Sequence, residues 1–352
     1  MSYSHPLQKE FGNIAFAPES VFKTAIPIAS VSGWIGILMD DQELPRGKPE
    51  QKAYYTAGHT DSDTVLGATI AAGAKPITVT EQKRTYQGKL SWIPQNRQLF
   101  QEIFGKKYTT LDSPGAGYNT HTFILGTVNA RPLPSITLAA WNDKAGDGFT
   151  AGTDICTLFS GIKLGKTTFS ANEGEELKIE SSLYGCAEAD QTAFPGAFTE
   201  LTTKPYLFNQ GALTIHGGTY TRIKSLSIDI DHKIKEDWYG SVDPYDLVEQ
   251  RIEMKANITL VIDNDDIYDF QIAKPTASTR FSFVFTRTSN QDSLTLESEP
   301  SGTTSFAYPI YTIKDAGGEG EAEVDVEILL TNLRCVVIDN ESKNHVYKDV
   351  TP

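Results

Sequence analysis

Two stretches of strict alternation constrain this chain more than anything else in it. Between Arg222 and Asp231, Leu226, Ile228 and Ile230 fall on one side of an extended backbone, and Ser225, Ser227, Asp229 and Asp231 on the other. Between Arg251 and Ile262, Ile252, Met254, Ala256, Ile258, Leu260 and Ile262 alternate with Arg251, Glu253, Lys255, Asn257 and Thr259. Period two over this length predicts strands with one buried and one polar face. The two are expected to pair as a long hairpin, with Ile258 in the core and Glu253 and Thr259 on the polar side. The connection from Lys233 to Gln250 exceeds what a tight turn needs and reads as a loop that makes contacts.

The same grammar recurs along the chain. Ile77–Thr80 and Tyr86–Leu90, His121–Leu125, Leu133–Trp141, Ser160–Thr168 with Glu176–Gly185, Tyr206–His216, Phe281–Phe285, Glu323–Leu330 and Arg334–Asp339 all read as strands. The clearest helix is Gln95–Phe104, where Leu99, Phe100, Ile103 and Phe104 form an apolar face and Gly105 supplies a left-handed stop. The expected fold class is all-β with minor α: two tandem, mainly antiparallel β domains, each with at most a short helix. A length of 352 residues suits two domains. Residues 1–60 read as an N-terminal arm and loop that a partner would order, 61–195 as the first β domain and 196–352 as the second. Ala187–Pro205 reads as the linker. Ile162-Lys163-Leu164 with Glu176–Glu180 weakly echoes Ile223–Leu226 with Arg251–Lys255.

Composition bears on partners. The formal charge is −14, and residues 201–352 carry −10 of it. Binding of nucleic acid through a basic surface is therefore disfavoured, because phosphates need clustered Lys and Arg. Cys156, Cys186 and Cys335 are too few and too scattered for a disulfide framework. No basic-then-apolar leader and no apolar run of membrane length occurs, so a soluble product without a membrane anchor is expected.

Candidate chemistry is thin. Gly161-Ile162-Lys163-Leu164-Gly165-Lys166-Thr167 resembles a phosphate-binding loop, but it has one residue too few between its glycines and strand-like flanks. Asp263-Asn264-Asp265-Asp266 with Asp269 could hold Ca²⁺, yet lacks the glycine and distal Glu of a calcium loop. His5, His59, His121, His216, His232 and His345 have no metal-ligand spacing. Glu175-Glu176 and Glu236-Asp237 are not distinguished from other acidic pairs as glycosidase carboxylates. Trp34, Trp92, Trp141 and Trp238 are scattered, whereas a sugar platform needs several on one face. No catalytic residue, cofactor or metal site is expected.

The runs His121-Thr122-Phe123, Leu133–Leu138, Phe159–Leu164, Glu176–Ile179, Leu183-Tyr184-Gly185, Ile223–Ile230 and Ile252–Leu260 together resemble the major tail tube proteins of long, non-contractile (siphovirus-like) bacteriophage tails, in their two-domain form. The resemblance spans roughly residues 60–340 and rests on strand patterns and spacings; Asp231-His232 stands where such proteins often carry Asn. It implies two tandem β-sandwich or barrel domains, each with a short flanking helix, in a structural virion protein that polymerises into stacked rings, made and assembled in the host cytoplasm. Two units per chain would make a homotrimeric, pseudo-hexameric ring. Implied partners are further copies of the chain, tape measure and tail terminator or tip proteins, and genomic DNA passing through an acidic lumen without specific binding. The alternative reading is another virion or carbohydrate- or receptor-binding β-sandwich module; an enzyme on a β scaffold is the third.

Overall fold

A computed structural model describes residues 13–29, 34–55, 63–65, 68–70, 76–110, 117–125, 133–142, 150, 154–195, 204–215, 218–220, 222–261, 281–288, 292–298, 310–316, 323–330 and 333–339. Among the described residues 66% are strand and 4% helical, an all-β fold with minor α. The two alternating stretches pair antiparallel, from Leu226 opposite Ile258 to Asp231 opposite Glu253. Ile258 is buried, while Glu253 is exposed and Thr259 half-buried. Alternation therefore set the register, because a one-residue slip would move every Ile of both strands to the polar face.

These strands belong to a 13-stranded sheet whose principal run holds eight antiparallel strands. The edge strand Met39–Glu43, continued by Gly47–Tyr55, pairs with Pro76–Trp92. Next come Lys178–Tyr184 and the second half of Ile155–Asn172. Then follow Ile223–Asp231, Glu253–Val261, Glu323–Leu329 and, at the other edge, Ile310–Ala316. The first four and the last four share one order. In each, two consecutive strands lie side by side, the fourth lies beside the second, and the third lies outermost. The two sets meet where Lys166–Asn172 pairs with Ser225–Asp231.

A seven-stranded sheet covers the apolar face. Its order is Gly218–Tyr220, Gly211–Ile215, Phe281–Thr288, Asp292–Ser298, Arg334–Asp339, Asn119–Ile124 and Lys106–Thr110. Both sheets contribute to one cluster, which includes Ile228, Ile258 and Ile328 from the first and Phe123, Phe283, Leu296 and Val337 from the second. Burying a side chain of this size contributes about 1.5–3 kcal/mol. The helix Phe100–Phe104 lies between the layers, with Phe100 and Phe104 each within 6.5 Å, ring to ring, of both Phe123 and Phe169.

That helix is shorter than the expected Gln95–Phe104. Leu99, just before it, has a left-handed backbone at φ 60°, and the residues ahead of it bond elsewhere. Gln95 N–H donates to Gln98 Oε1, Gln98 Nε2 donates to Gly36 O, and Arg287 donates to Gln95 O and Asn96 Oδ1. Local side-chain bonds of this kind compete with helix formation. Gly105 ends the helix at φ 89°, its N–H donating to Gln101 O, as expected.

Two further expectations change. Residues 13–18, inside the expected arm, form the strand Asn13–Pro18, paired along its length with Ile136–Asn142. Ile14 and Phe16 pack into the main cluster, and Ala15 and Ala17 into a second one with Trp34, Trp141 and Leu158. This segment is thus ordered by its own chain. Residues 1–12, also in that arm, lie outside the described residues. The connection Lys233–Gln250 is itself a hairpin, Ile234–Asp237 against Asp246–Glu249.

The 18-residue strand Ile155–Asn172 serves two partners in turn. Its first half pairs with Ile136–Asn142 and Ala187–Asp190, within the expected linker; its second half pairs in the eight-stranded run. The change falls at a bulge where Gly161 adopts φ +64°. Glu19 fixes the bulge by accepting from Gly161 N–H (2.8 Å), Ser135 Oγ, Thr137 Oγ1 and Lys23 N–H. Burial raises the Glu19 pKa above its ordinary value, outweighing these four donors.

Two outcomes follow. Ile258→Asp places a charge in the closed core and abolishes the cooperative melt, whereas Thr259→Ser shifts Tm by a degree or two. Because the folded-state pKa of Glu19 exceeds its unfolded value, the folded state holds that proton more tightly. Glu19 therefore adds stability as pH falls through its raised pKa, and Glu19→Gln flattens that part of a Tm-against-pH curve.

Candidate functional site

The polar face of the eight-stranded run carries a regular array of polar side chains. Lys166, Thr168, Ser170 and Asn172 stand beside Ser225, Ser227, Asp229 and Asp231, and those beside Glu253, Lys255, Asn257 and Thr259. Side-chain rungs cross the strands: Thr168 Oγ1 donates to Asp229 Oδ1 (2.6 Å), Ser225 Oγ to Thr259 Oγ1 (3.1 Å) and Thr259 Oγ1 to Asp325 Oδ1 (2.7 Å). The lysines stand beside carboxylates, two of them sharing Asp229. Lys89 lies 2.6 Å from Glu180, Lys166 3.6 Å and Lys255 4.0 Å from Asp229, and Lys178 3.0 Å from Asp40. The hydrogen bond to Asp40 holds the Lys178 pKa above its ordinary value, so its charge persists. Glu253 is held by Lys233 and Arg251, and Asp325 and Glu327 add negative charge. A polyanion lying on this face meets cations that already hold carboxylates, beside further carboxylates.

The eight-stranded run has two open edges. Among the described residues, Met39–Glu43 and Gly47–Tyr55 pair only with Pro76–Trp92, and Ile310–Ala316 only with Glu323–Leu329. Each thus has a strand on one side only among the described residues, and an edge of this kind is a template for another strand.

Two hairpin arms rise from one end of the sheet. Gly47–Tyr55 with the first part of Pro76–Trp92 forms one; Ile234–Asp237 with Asp246–Glu249 forms the other. Each extends the first two strands of its own set of four. The second arm rests on the first. Arg84 N–H donates to Val242 O (2.7 Å), Trp238 Nε1 to Arg84 O (3.1 Å), and Tyr86 OH to Asp243 Oδ1 (2.8 Å). Burial pushes the Tyr86 pKa up to about 12, so this donor keeps its proton. The base of the arm is pinned by the buried Lys163, whose Nζ donates to Glu249 Oε1 (2.6 Å) and Leu247 O (2.8 Å). At its tip Tyr239 and Tyr245 meet edge to face at 5.7 Å, and both are well exposed.

The other candidates disperse. Residues 161–167 lie inside a strand and open no helix, which removes the phosphate-loop reading. The Asp263–Asp269 cluster lies outside the described residues, as do His5, His59, His216 and His345. His121 is buried between Arg97 and Asp339, its Nε2 3.0 Å from Asp339 Oδ1, and His232 Nε2 donates to Ile103 O. No metal-holding group occurs among the described residues. Cys156, Cys186 and Cys335 are free and buried, and burial pushes the thiols of the first two up to about 12. Trp34, Trp92 and Trp141 are core residues, so no tryptophan platform forms from them. Glu236 is buried against Gln87, while its neighbour Asp237 pairs with Lys235. The tyrosine tip went unread because it sits in a segment without periodicity; its only signal was aromatic residues inside a polar connection.

The buried pair at the arm's base is testable. Lys163→Met leaves the buried Glu249 carboxylate without the Lys163 ammonium, a loss of about 3–5 kcal/mol for pairs of this kind. Hydrogen exchange at residues 234–249 should accelerate in that variant and recover in Lys163→Met/Glu249→Gln.

No curated protein matches this chain. A family model described as phage tail tube protein matches residues 12–330, which include all eight strands, both arms and both open edges. The chain belongs to the phage tail tube protein family.

Proposed function

We propose that three copies of this chain close into a ring, and that stacked rings form the tail tube through which genomic DNA passes in a siphovirus-like virion. The family carries the structural role, the virion location and self-assembly into a tube. The observation that carries the rest is the doubled four-strand order with an open edge at each end. Each set of four is read as one tail tube unit, so the chain counts as two fused units, the first beginning at Met39–Glu43 rather than at residue 61 and the second lying within residues 196–352. Within the chain the outermost strand of the first set pairs antiparallel with the first strand of the second. Repeating that contact between copies, Ile310–Ala316 of one against Met39–Glu43 of the next, satisfies both edges. Six units then close a ring in which every strand of the eight-stranded run has two neighbours, as closed head-to-tail contacts require.

In such a ring the polar face lines the channel. Its paired lysines and surplus carboxylates let DNA pass without holding it. The role needs no catalysis and no cofactor. Tape measure and terminator or tip proteins are the further partners the family reading implies.

Electron microscopy of the purified, concentrated protein should show tubes, and native mass spectrometry of rings should give three chains. Six chains per ring would overturn the trimer and leave the tube. Proline at Thr312 or Ile313 tests the edge, since neighbouring strand residues aim their N–H groups to opposite sides and one of the two points outward. The outward variant should fold and fail to form rings.

A further inference from the structure

We infer that residues 95–125 are a strap that the first unit lays over the second, fixing the angle between the two units within a single chain and so the number of copies that close a ring; the inference rests on the tube reading above. The doubling of the chain extends to its covering layers. Ile35–Gly36, Asn13–Pro18, Ile136–Asn142, the first half of Ile155–Asn172 and Ala187–Asp190 lie side by side in one order. Gly218–Tyr220, Gly211–Ile215, Phe281–Thr288, Asp292–Ser298 and Arg334–Asp339 repeat it. The registers agree as well: Ala187 faces Ser160, the sixth residue of its strand, and Arg334 faces Glu297, the sixth of its own. Each unit therefore has a cover of its own. Asn119–Ile124 and Lys106–Thr110 are an addition, first-unit strands joined to the second unit's cover.

The strap crosses the seam between the units in both layers. Asn119–Ile124 pairs along its whole length with Arg334–Asp339, and Leu125 N–H donates to Leu333 O (3.0 Å). The helix Phe100–Phe104 lies beneath. Its two rings meet Phe169, which pairs with Ile228 in the ladder joining the units, and Ile103 O accepts from Nε2 of the buried His232 (2.8 Å). Arg287 of the second unit donates to Gln95 O and Asn96 Oδ1, while Gln98 Nε2 donates to Gly36 O in the first unit's cover. Strands joined by one ladder keep a range of relative twist. A second ladder, in a layer packed about 10 Å away, removes that freedom, because turning about one ladder shears the other. At the matching place in the first unit, Ala187–Asp190 pairs with Ile155–Asn172 alone among the described residues, and Glu188 and Asp190 are exposed where Cys335 and Val337 are buried. The doubly held seam is thus the one inside the chain, set before copies meet.

A loosened chain and a relocked one test this. Arg287→Gln/His232→Gln removes two side chains that hold the strap. Thr122→Cys/Val336→Cys relocks it. Leu125 bonds Leu333 and bonded pairs alternate along a ladder, so the half-buried Thr122 and Val336 form a non-bonded pair within disulfide reach. In the single chain, amide hydrogen exchange at residues 119–125 and 334–339 should rise together, about tenfold, in the loosened variant and fall again once the disulfide forms. By native mass spectrometry the unaltered chain should give rings of one size and the loosened chain a mixture. The loosened chain with the disulfide should return to one size, and to the mixture on reduction. Unchanged exchange in the loosened chain, or rings of one size despite faster exchange, would overturn the inference. Disulfide-linked dimers in place of an internal disulfide would overturn it too, by assigning the strap to a neighbouring copy. An unaltered chain that forms no rings would overturn the tube reading and the ring-size part of the inference, while the exchange result alone would still uphold or overturn the strap.

Discussion

The structure depends on one strand that answers to two sets of neighbours. Ile155–Asn172 is hydrogen-bonded on both sides through most of its length, first to Ile136–Asn142 and Ala187–Asp190, then to Lys178–Tyr184 and Ile223–Asp231. Removing it would leave several strands without a partner, and backbone groups buried without partners cost about 1–3 kcal/mol each. Its bend at Gly161 lets one segment belong to the small second core and the other to the broad sheet. Glu19 holds that bend from a different part of the chain, so the first described strand and the central one are fixed together.

From this strand outward, polar chemistry is placed where the fold can support it. On the broad sheet's open face, charges meet in pairs at the surface and stay hydrated, where each pair contributes about 0–1 kcal/mol. Inside, the few ion pairs are enclosed and act as clamps. Lys163–Glu249 fixes the second arm to the sheet, and Arg287 with Asp292 ties residues 95–96 and 204–206 to the covering layer, stacking on Tyr206 at 4.0 Å. Such clamps fix geometry more than they raise stability.

What could be read from the letters was what has one wet face. Ser225–Asp231 and Glu253–Thr259 announced their strands, their pairing and their register because water on one side enforces alternation. Asn13–Pro18 did not, because cores lie on both sides of it and Ile14, Ala15, Phe16 and Ala17 are all apolar. Residues 95–99 looked helical because apolar spacing cannot reveal a left-handed Leu99 or the tertiary bonds of Arg287. The second arm was hidden for a third reason: it is short, polar and ordered by Lys163 and Arg84, residues distant in sequence. The polar face was legible as a face; its lysine–carboxylate pairing was not, since that depends on which strands become neighbours.

The number of strands in the broad run has a consequence of its own. Eight is even, so the two outermost strands run in opposite directions. A copy that continues the antiparallel ladder at either edge must therefore point the same way as the copy it joins; an odd count would have turned every second copy upside down. Parity alone thus gives any assembly built through these edges a front and a back. Both arms of every copy emerge at the same end, and direction is written into the count before any side chain is consulted.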